Sequence, residues 1–417
     1  MSKTITISAS VLSGMMLSGA ALAQSVEFSV MESGTYDVAA RQIADELSAA
    51  GGPHVIVSAF PWEVLRQTNT TDLISGTNRF DVMSGGYYLA DVYPYFQGLD
   101  DLIARDDFAD GMIPNLMSPG RSEFRDGEQI GIPYGIDSYG LIVNTDLLAA
   151  AGIGTEFADW AAVIAACPQI EEATGVACLS HPTGSPEQIG AFFFSGYSGT
   201  YIDAGGNYAL DADAATAVAG EIAALWSFLP ENGTAMSFDE AHAAFANGEA
   251  ALLVTWPSFT IDTLDTDGVA AKGHWQLVNF PGDGFPWLSL WQLFVPAAVE
   301  DREAAWTWIK AFAGPEHATR NLIEHNFGSV WVSTYEDEAL AAERAHFWPA
   351  QIEGFSRAKN PPLSGEAQDF LTNTLQEIAN GRISAADGIA MVNETWGTLP
   401  VPPALLEAAN GSGLAAD

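Results

Sequence analysis

The sequence is poor in positive charge: 15 Lys and Arg stand against 53 Asp and Glu in 417 residues, a formal net charge of −38. Phosphate binding needs clustered Lys and Arg, so this balance excludes nucleic acid and an anionic membrane surface as partners. It also weighs against phosphate, sulfonate or dicarboxylate ligands and favours a neutral small molecule. Cysteine is nearly missing, with only Cys167 and Cys178 present. Neither they nor the seven His stand at metal-ligand spacing, so no metal site is read. Asp262, Asp265 and Asp267 before Gly268 lack the terminal Glu of a calcium loop and read as a solvated turn. G-x-S-x-G, H-E-x-x-H, Walker A and C-x-x-C signatures are all absent, and neither catalytic residues nor a cofactor are expected. The many carboxylates keep a glycosidase-like acid/base pair open, so a secreted glycoside-processing enzyme is the alternative.

What is present is apolar and aromatic. Hydrophobic residues make up 48% of the chain, with 12 Trp and 22 Phe, which excludes the low-hydrophobicity class of disordered proteins. Lys3 precedes an apolar stretch that runs to Ala20, and Ala21-Leu22-Ala23 gives the small-x-small pattern before a cleavage point. Residues 1–23 therefore read as a signal peptide, cleaved near Ala23, and the mature chain is expected in the periplasm. Ser8, Ser10, Ser13 and Ser18 interrupt the ~20 apolar residues that a membrane anchor would need. In an oxidising compartment the two cysteines read as a disulfide, with a pair of buried thiols as the alternative.

Strand and helix signals alternate from residue 25. Strands are expected at 26–31, 54–60 and 80–83, with a helix carrying Ala39, Ile43 and Leu47 between the first two. Strand, helix, strand, helix, strand is the pattern of parallel α/β construction, in which ligands sit at the carboxyl ends of the strands. Residues 132–144 read as one extended apolar stretch. Helices are expected at 155–166, 213–228, 238–247 and 302–312, strands at 250–255 and 291–295, and broken helices over 334–405.

Several stretches carry a resemblance. Phe80-Asp81-Val82 follows Ser75-Gly76; Gly131-Ile132-Pro133-Tyr134 leads to Leu141-Ile142-Val143-Asn144-Thr145-Asp146; Phe245-Ala246-Asn247-Gly248-Glu249-Ala250 precedes a strand. Phe280-Pro281-Gly282, Ser289-Leu290-Trp291 and Gly381-Arg382-Ile383-Ser384 follow in order. Together they resemble the extracellular solute-binding proteins of sugar-type ABC importers, the maltose-binding-protein-like family 1. The chain departs from that pattern at Val143, where Tyr is usual, and at Ser289 and Leu290, where Gly is usual.

The resemblance implies an α/β, two-lobe periplasmic binding protein of type II, the Venus-flytrap form, with multiple hinge crossovers. The first lobe is expected over residues 25–138 plus 292–333 and the second over 139–291 plus 334–417, with crossovers at 136–140 and 288–292. It implies a monomer that captures a mono- or disaccharide or polyol and hands it to a membrane permease of an ABC importer. A periplasmic carbohydrate-sensing module feeding a receptor is a further alternative. A sugar packs its C–H patches on aromatic faces and its hydroxyls on polar groups. On that chemistry the candidate ligand contacts are Tyr36, Trp62, Tyr87, Trp256, Trp287, Trp291 and Trp331, with Glu32 and Asp137 as acceptors. Each aromatic residue has lobe core as its competing placement, whereas Trp306 and Trp308 read as core outright.

Overall fold

The computed structural model describes residues 25–32, 36–325 and 327–416. The expected signal peptide and its cleavage point lie outside them. Among the described residues eleven strands are present: β1 (Ser25–Met31), β2 (His54–Phe60), β3 (Val82–Gly85), β4 (Phe124–Arg125), β5 (Glu128–Gln129), β6 (Gly131–Ser138), β7 (Gly140–Asn144), β8 (Ala177–Ser180), β9 (Ala250–Thr255), β10 (Trp275–Val278) and β11 (Leu288–Phe294). They form a five-stranded sheet in the order β2-β1-β3-β11-β6, a four-stranded sheet in the order β10-β7-β9-β8, and a small β4-β5 hairpin. β1 pairs with β2 and β3 in parallel, as the alternating strands and helices predict, and β11 returns antiparallel between β3 and β6. Among the described residues no helix is long and apolar enough to cross a membrane.

Each sheet has its own core. Phe28, Trp308, Phe312 and Tyr134 fill the first, against helices Tyr36–Ala49 and Arg302–Ala313. Trp306 and Trp308 are fully buried there, as their helical spacing predicts. Trp160, Phe192, Phe194, Tyr201 and Trp396 belong to the second. The expected disulfide is formed: Cys167 in helix Trp160–Thr174 is bonded to Cys178 in β8. Asn144 ends β7 and caps helix Thr145–Ala150, its Oδ1 accepting from Leu147 N–H at 3.1 Å, which gives the Asn-Thr-Asp stretch a local reason.

The expected extended stretch at 132–144 is two strands in two sheets. β6 ends at Ser138 in the first sheet, β7 begins at Gly140 in the second, and Tyr139 joins them. A Cβ at Gly140 would meet Leu277 Cδ1 at 2.7 Å and Pro257 Cγ at 2.8 Å, so glycine lets the strands part at close quarters. The second crossing was expected at 288–292, but those residues lie wholly in β11 and the chain changes sheets over 279–287. The ladder to β6 holds Leu288 opposite Ser138, so hydrogen bonding claims this segment before it can leave the sheet. The two crossings touch: Tyr139 N–H donates to Trp287 O at 3.0 Å, and Trp287 also bridges Lys359 of a third passing segment.

The C-terminal helix Pro403–Ser412 and the residues after it link an apolar cluster beside the first sheet to the second core. Leu405 packs with Leu73, Phe80 and Leu89 beside the first sheet, whereas Ala409 and Leu414 join the second core. Beyond it, Leu414 O accepts from Tyr201 N–H and Ala416 N–H donates to Ile202 O, both at 2.8 Å.

Candidate functional site

A cleft of about 420 Å³ opens where the two sheets face each other. Met31 lies at the carboxyl end of β1, Trp62 follows β2 and Tyr87 follows β3. Ser289 and Trp291 come from β11, two residues apart and so on one face of the strand, while Leu290 between them enters the first core. The opposite wall consists of Trp256 after β9, Glu187 and Gln188 in the turn Pro186–Ile189, and Phe238, Asp239 and His242 on helix Phe238–Ala246. Trp287, from the second crossing, closes the end.

Trp291 sits at an irregularity. The β11-β6 register slips between Trp291 and Gln292, which stand opposite Gly135 and Pro133. Pro133 has no N–H to offer the ladder, and a bulge at such a point redirects the neighbouring side chain. The Trp291 ring is edge-on to Trp62 at 5.5 Å and backed by Tyr36 at 5.6 Å. Across the cleft Trp256 lies 5.4 Å from Trp287 and 4.4 Å from Tyr139. Gln188 Oε1 accepts from both Trp256 Nε1 at 3.1 Å and Tyr139 Oη at 2.6 Å, which leaves its amide N–H groups as donors for a further acceptor. The buried Trp287 Nε1 has no partner among the described residues.

The charged side chains lining the cleft, among the described residues, are Glu187 and Asp239. Burial holds the His242 imidazole down to about 4, so it is neutral near pH 7, and its Nε2 shares a 2.8 Å hydrogen bond with Thr255 Oγ1. Tyr87 Oη donates to Glu187 Oε1 at 3.4 Å and accepts from Gln368 Nε2 at 3.4 Å, so this side chain links the first wall to the second. Burial, then the Glu187 charge, raises its hydroxyl well above the usual range.

Of the expected contacts, the structure brings Trp62, Tyr87, Trp256, Trp287 and Trp291 to the cleft. The others stand elsewhere. Glu32 is exposed beyond β1, its backbone N–H given to Phe60 O. Tyr36 is buried behind Trp291, against Tyr134 and Phe327. Trp331 is 3% exposed in the first core, its Nε1 donating to Ala313 O at 2.8 Å, so its polar atom is consumed by the backbone.

Asp137 is also outside the cleft lining, because its oxygens are occupied. Oδ1 accepts from Ser138 N–H at 2.9 Å, and Oδ2 accepts from Ser258 N–H at 3.1 Å and from the Ser258 hydroxyl. Burial pushes its carboxyl up to about 6 against those hydrogen bonds. Glu187, Gln188, Phe238, Asp239 and His242 were not expected. The helix bearing the last three was legible, with its Ser237/Glu240 capping box, but nothing local says which face meets the cleft.

A family profile described as bacterial extracellular solute-binding protein matches residues 42–345. A protein of Brucella abortus (strain 2308) described as a binding protein is 32% identical over 103 residues, which is 24% of this chain and 24% of that protein. The match thus spans about a quarter of the curated relative's length. Among solved structures, maltose-bound MalE3 of T. maritima superposes with a TM-score of 0.76 at 19% identity, covering 90% of this chain and 99% of that one. An ABC transporter solute-binding protein from Agrobacterium radiobacter in complex with ribitol gives 0.74 at 17%, covering 90% and 98%. One from Agrobacterium vitis with bound D-mannitol gives 0.71 at 17%, covering 89% and 97%. These likenesses carry the two-lobe fold.

Proposed function

Because the chain belongs to the bacterial extracellular solute-binding protein family, we propose that it is the substrate-binding component of a sugar-type ABC importer. It captures a sugar or polyol between its lobes and delivers it to a membrane permease, without chemistry on the ligand. It is exported, with cleavage near Ala23. One observation carries the reading: an aromatic-walled cleft of about 420 Å³ at the carboxyl ends of β1, β2, β3 and β9, shared by both sheets. Trp62, Trp291, Trp256 and Tyr87 offer faces for sugar C–H patches, and Gln188, Glu187, Asp239 and Ser289 offer polar partners for hydroxyls. The structural relatives with bound maltose, ribitol and D-mannitol support that ligand class.

The lobes are residues 25–138 with 288–333, and 139–287 with the chain from 334 onward, the C-terminal helix being shared. Ligand touching both walls favours the closed arrangement by its differential affinity. A thermal-shift screen of the mature chain against sugars and polyols tests the reading. A ligand at 100 times its Kd adds about 2.7 kcal/mol to stability, and scattering should show a smaller radius of gyration. A panel in which no sugar or polyol shifts the unfolding transition overturns the proposal.

A further inference from the structure

We propose that Asp137 is a positioning residue for ligand binding: it touches no ligand, but pins the turn that carries Trp256 to the crossing between the lobes. Asp137 is the penultimate residue of β6 in the first sheet. Ser258 lies in the single turn Pro257–Phe259 that follows β9 of the second sheet, and Trp256 is the residue that caps this turn. One carboxylate therefore ties the last residues of one sheet's edge strand to the cleft wall of the other. The surroundings leave little slack. Gly140, three residues on, has Pro257 close against it, and Tyr139 between them packs on the Trp256 ring and donates to the same Gln188 oxygen that Trp256 uses.

The chemistry calls for a carboxylate. Two backbone N–H groups, Ser138 and Ser258, fall on two different oxygens, and the Ser258 hydroxyl adds a third donor. An amide at this position has one oxygen, so its N–H2 group must face one of the two backbone donors. Buried donors left without an acceptor are costly, and the turn can relieve that cost by moving away from β6. Moving the turn moves Trp256. A residue at position 137 can thus govern the stacking face while its own side chain stays outside the cleft lining.

Fluorine NMR of the full mature chain labelled with 5-fluorotryptophan tests this without any ligand. The Trp256 resonance is assigned with Trp256→Phe, and those of Trp306 and Trp308 in the same way. In Asp137→Asn the Trp256 signal should move by more than its linewidth while Trp306 and Trp308 hold their positions. Ser258→Ala, which keeps the backbone donor, should give a smaller shift in the same direction. The double variant should match Asp137→Asn, because the two changes break one connection. A Trp256 signal unmoved in Asp137→Asn overturns the proposal. Movement of all three signals together also overturns it, since the effect would then be a general loss of packing.

Discussion

The two walls of the cleft are built differently. The first, from β1, β11 and the segments after β2 and β3, offers Met31, Trp62, Tyr87, Leu288, Ser289 and Trp291, none of them charged. Its rings are held by packing on other aromatics, Trp62 edge-to-face on Tyr88 and Trp291 tilted against Tyr36. The second wall carries Glu187 and Asp239, and its Trp256 is fixed through Gln188. Dispersion against an aromatic face tolerates a change of sugar, whereas directional hydrogen bonds do not. On the proposed function, the first wall would serve mainly as a platform, and discrimination between ligands would fall mainly to the second.

The largest expected effect is that of Trp287→Ala, at the end of the cleft where the second core reaches it. Trp287 is 2% exposed and meets Tyr87, Tyr139, Phe194 and Trp256, so truncation should cost about 3–5 kcal/mol in denaturant unfolding. Trp62→Ala, on the half-buried first wall, should cost clearly less. Equal losses would mean that the walls are equally welded to their cores.

Next comes the pH dependence of Asp137. Its carboxyl titrates near about 6 when folded against an ordinary 3.8, so between those values the folded state holds the extra proton and stability falls as pH rises. The groups that feel its charge are Tyr36, Tyr139 and Tyr335, whose hydroxyls burial pushes upward and keeps neutral throughout this window. The stability advantage of wild type over Asp137→Asn should therefore shrink from about pH 4 to about pH 6, by ~3 kcal/mol at most. Parallel stability curves for the two proteins would contradict the assignment.

The Cys167–Cys178 bond fastens β8, the neighbour of β9, to a helix of the second lobe. Replacing both cysteines by Ser should cost about 2–3 kcal/mol. If the second wall's geometry depends on that fastening, ligand discrimination should weaken along with stability. Thiol labelling of the denatured, non-reduced wild-type protein should find no free thiol. The smallest effect is on binding alone: Trp291→Ala should weaken affinity by about 1–3 kcal/mol for every sugar that binds, while Gln188→Ala should change the ranking among sugars. Calorimetry in which Trp291→Ala reorders the ranking would erase the distinction between the walls.

The first three strands were legible because parallel α/β units repeat a strand-then-helix rhythm, and β9 was read to the residue. β8 and β10 were not, since four residues such as Ala177-Cys178-Leu179-Ser180 show no period. Trp62, Tyr87 and Trp256 could be placed because the fold puts strand ends at the cleft. Trp331 could not be separated from them by type, as its position depends on the Ala313 carbonyl, far from any local pattern. Asp137 was singled out as a ligand acceptor, and the structure places its carboxylate on Ser138 and Ser258, outside the cleft lining. Which donors a buried carboxylate accepts from is decided by a turn more than a hundred residues away.

The C-terminal helix carries a practical corollary. Gly127 N–H donates to Glu407 Oε1 at 3.1 Å, Lys359 Nζ donates to Ser412 O at 2.7 Å, and Leu405 fills a seat beside Phe80. This helix is thus sewn into both halves of the molecule, and through Lys359 it reaches the crossing at Trp287. A shortened protein ending before Val401 would bare an apolar strip around Leu73, Phe80 and Leu89 and would free one half to swing without its tether. Affinity tags or reporter domains inserted within Pro403–Ser412 would cut this seam.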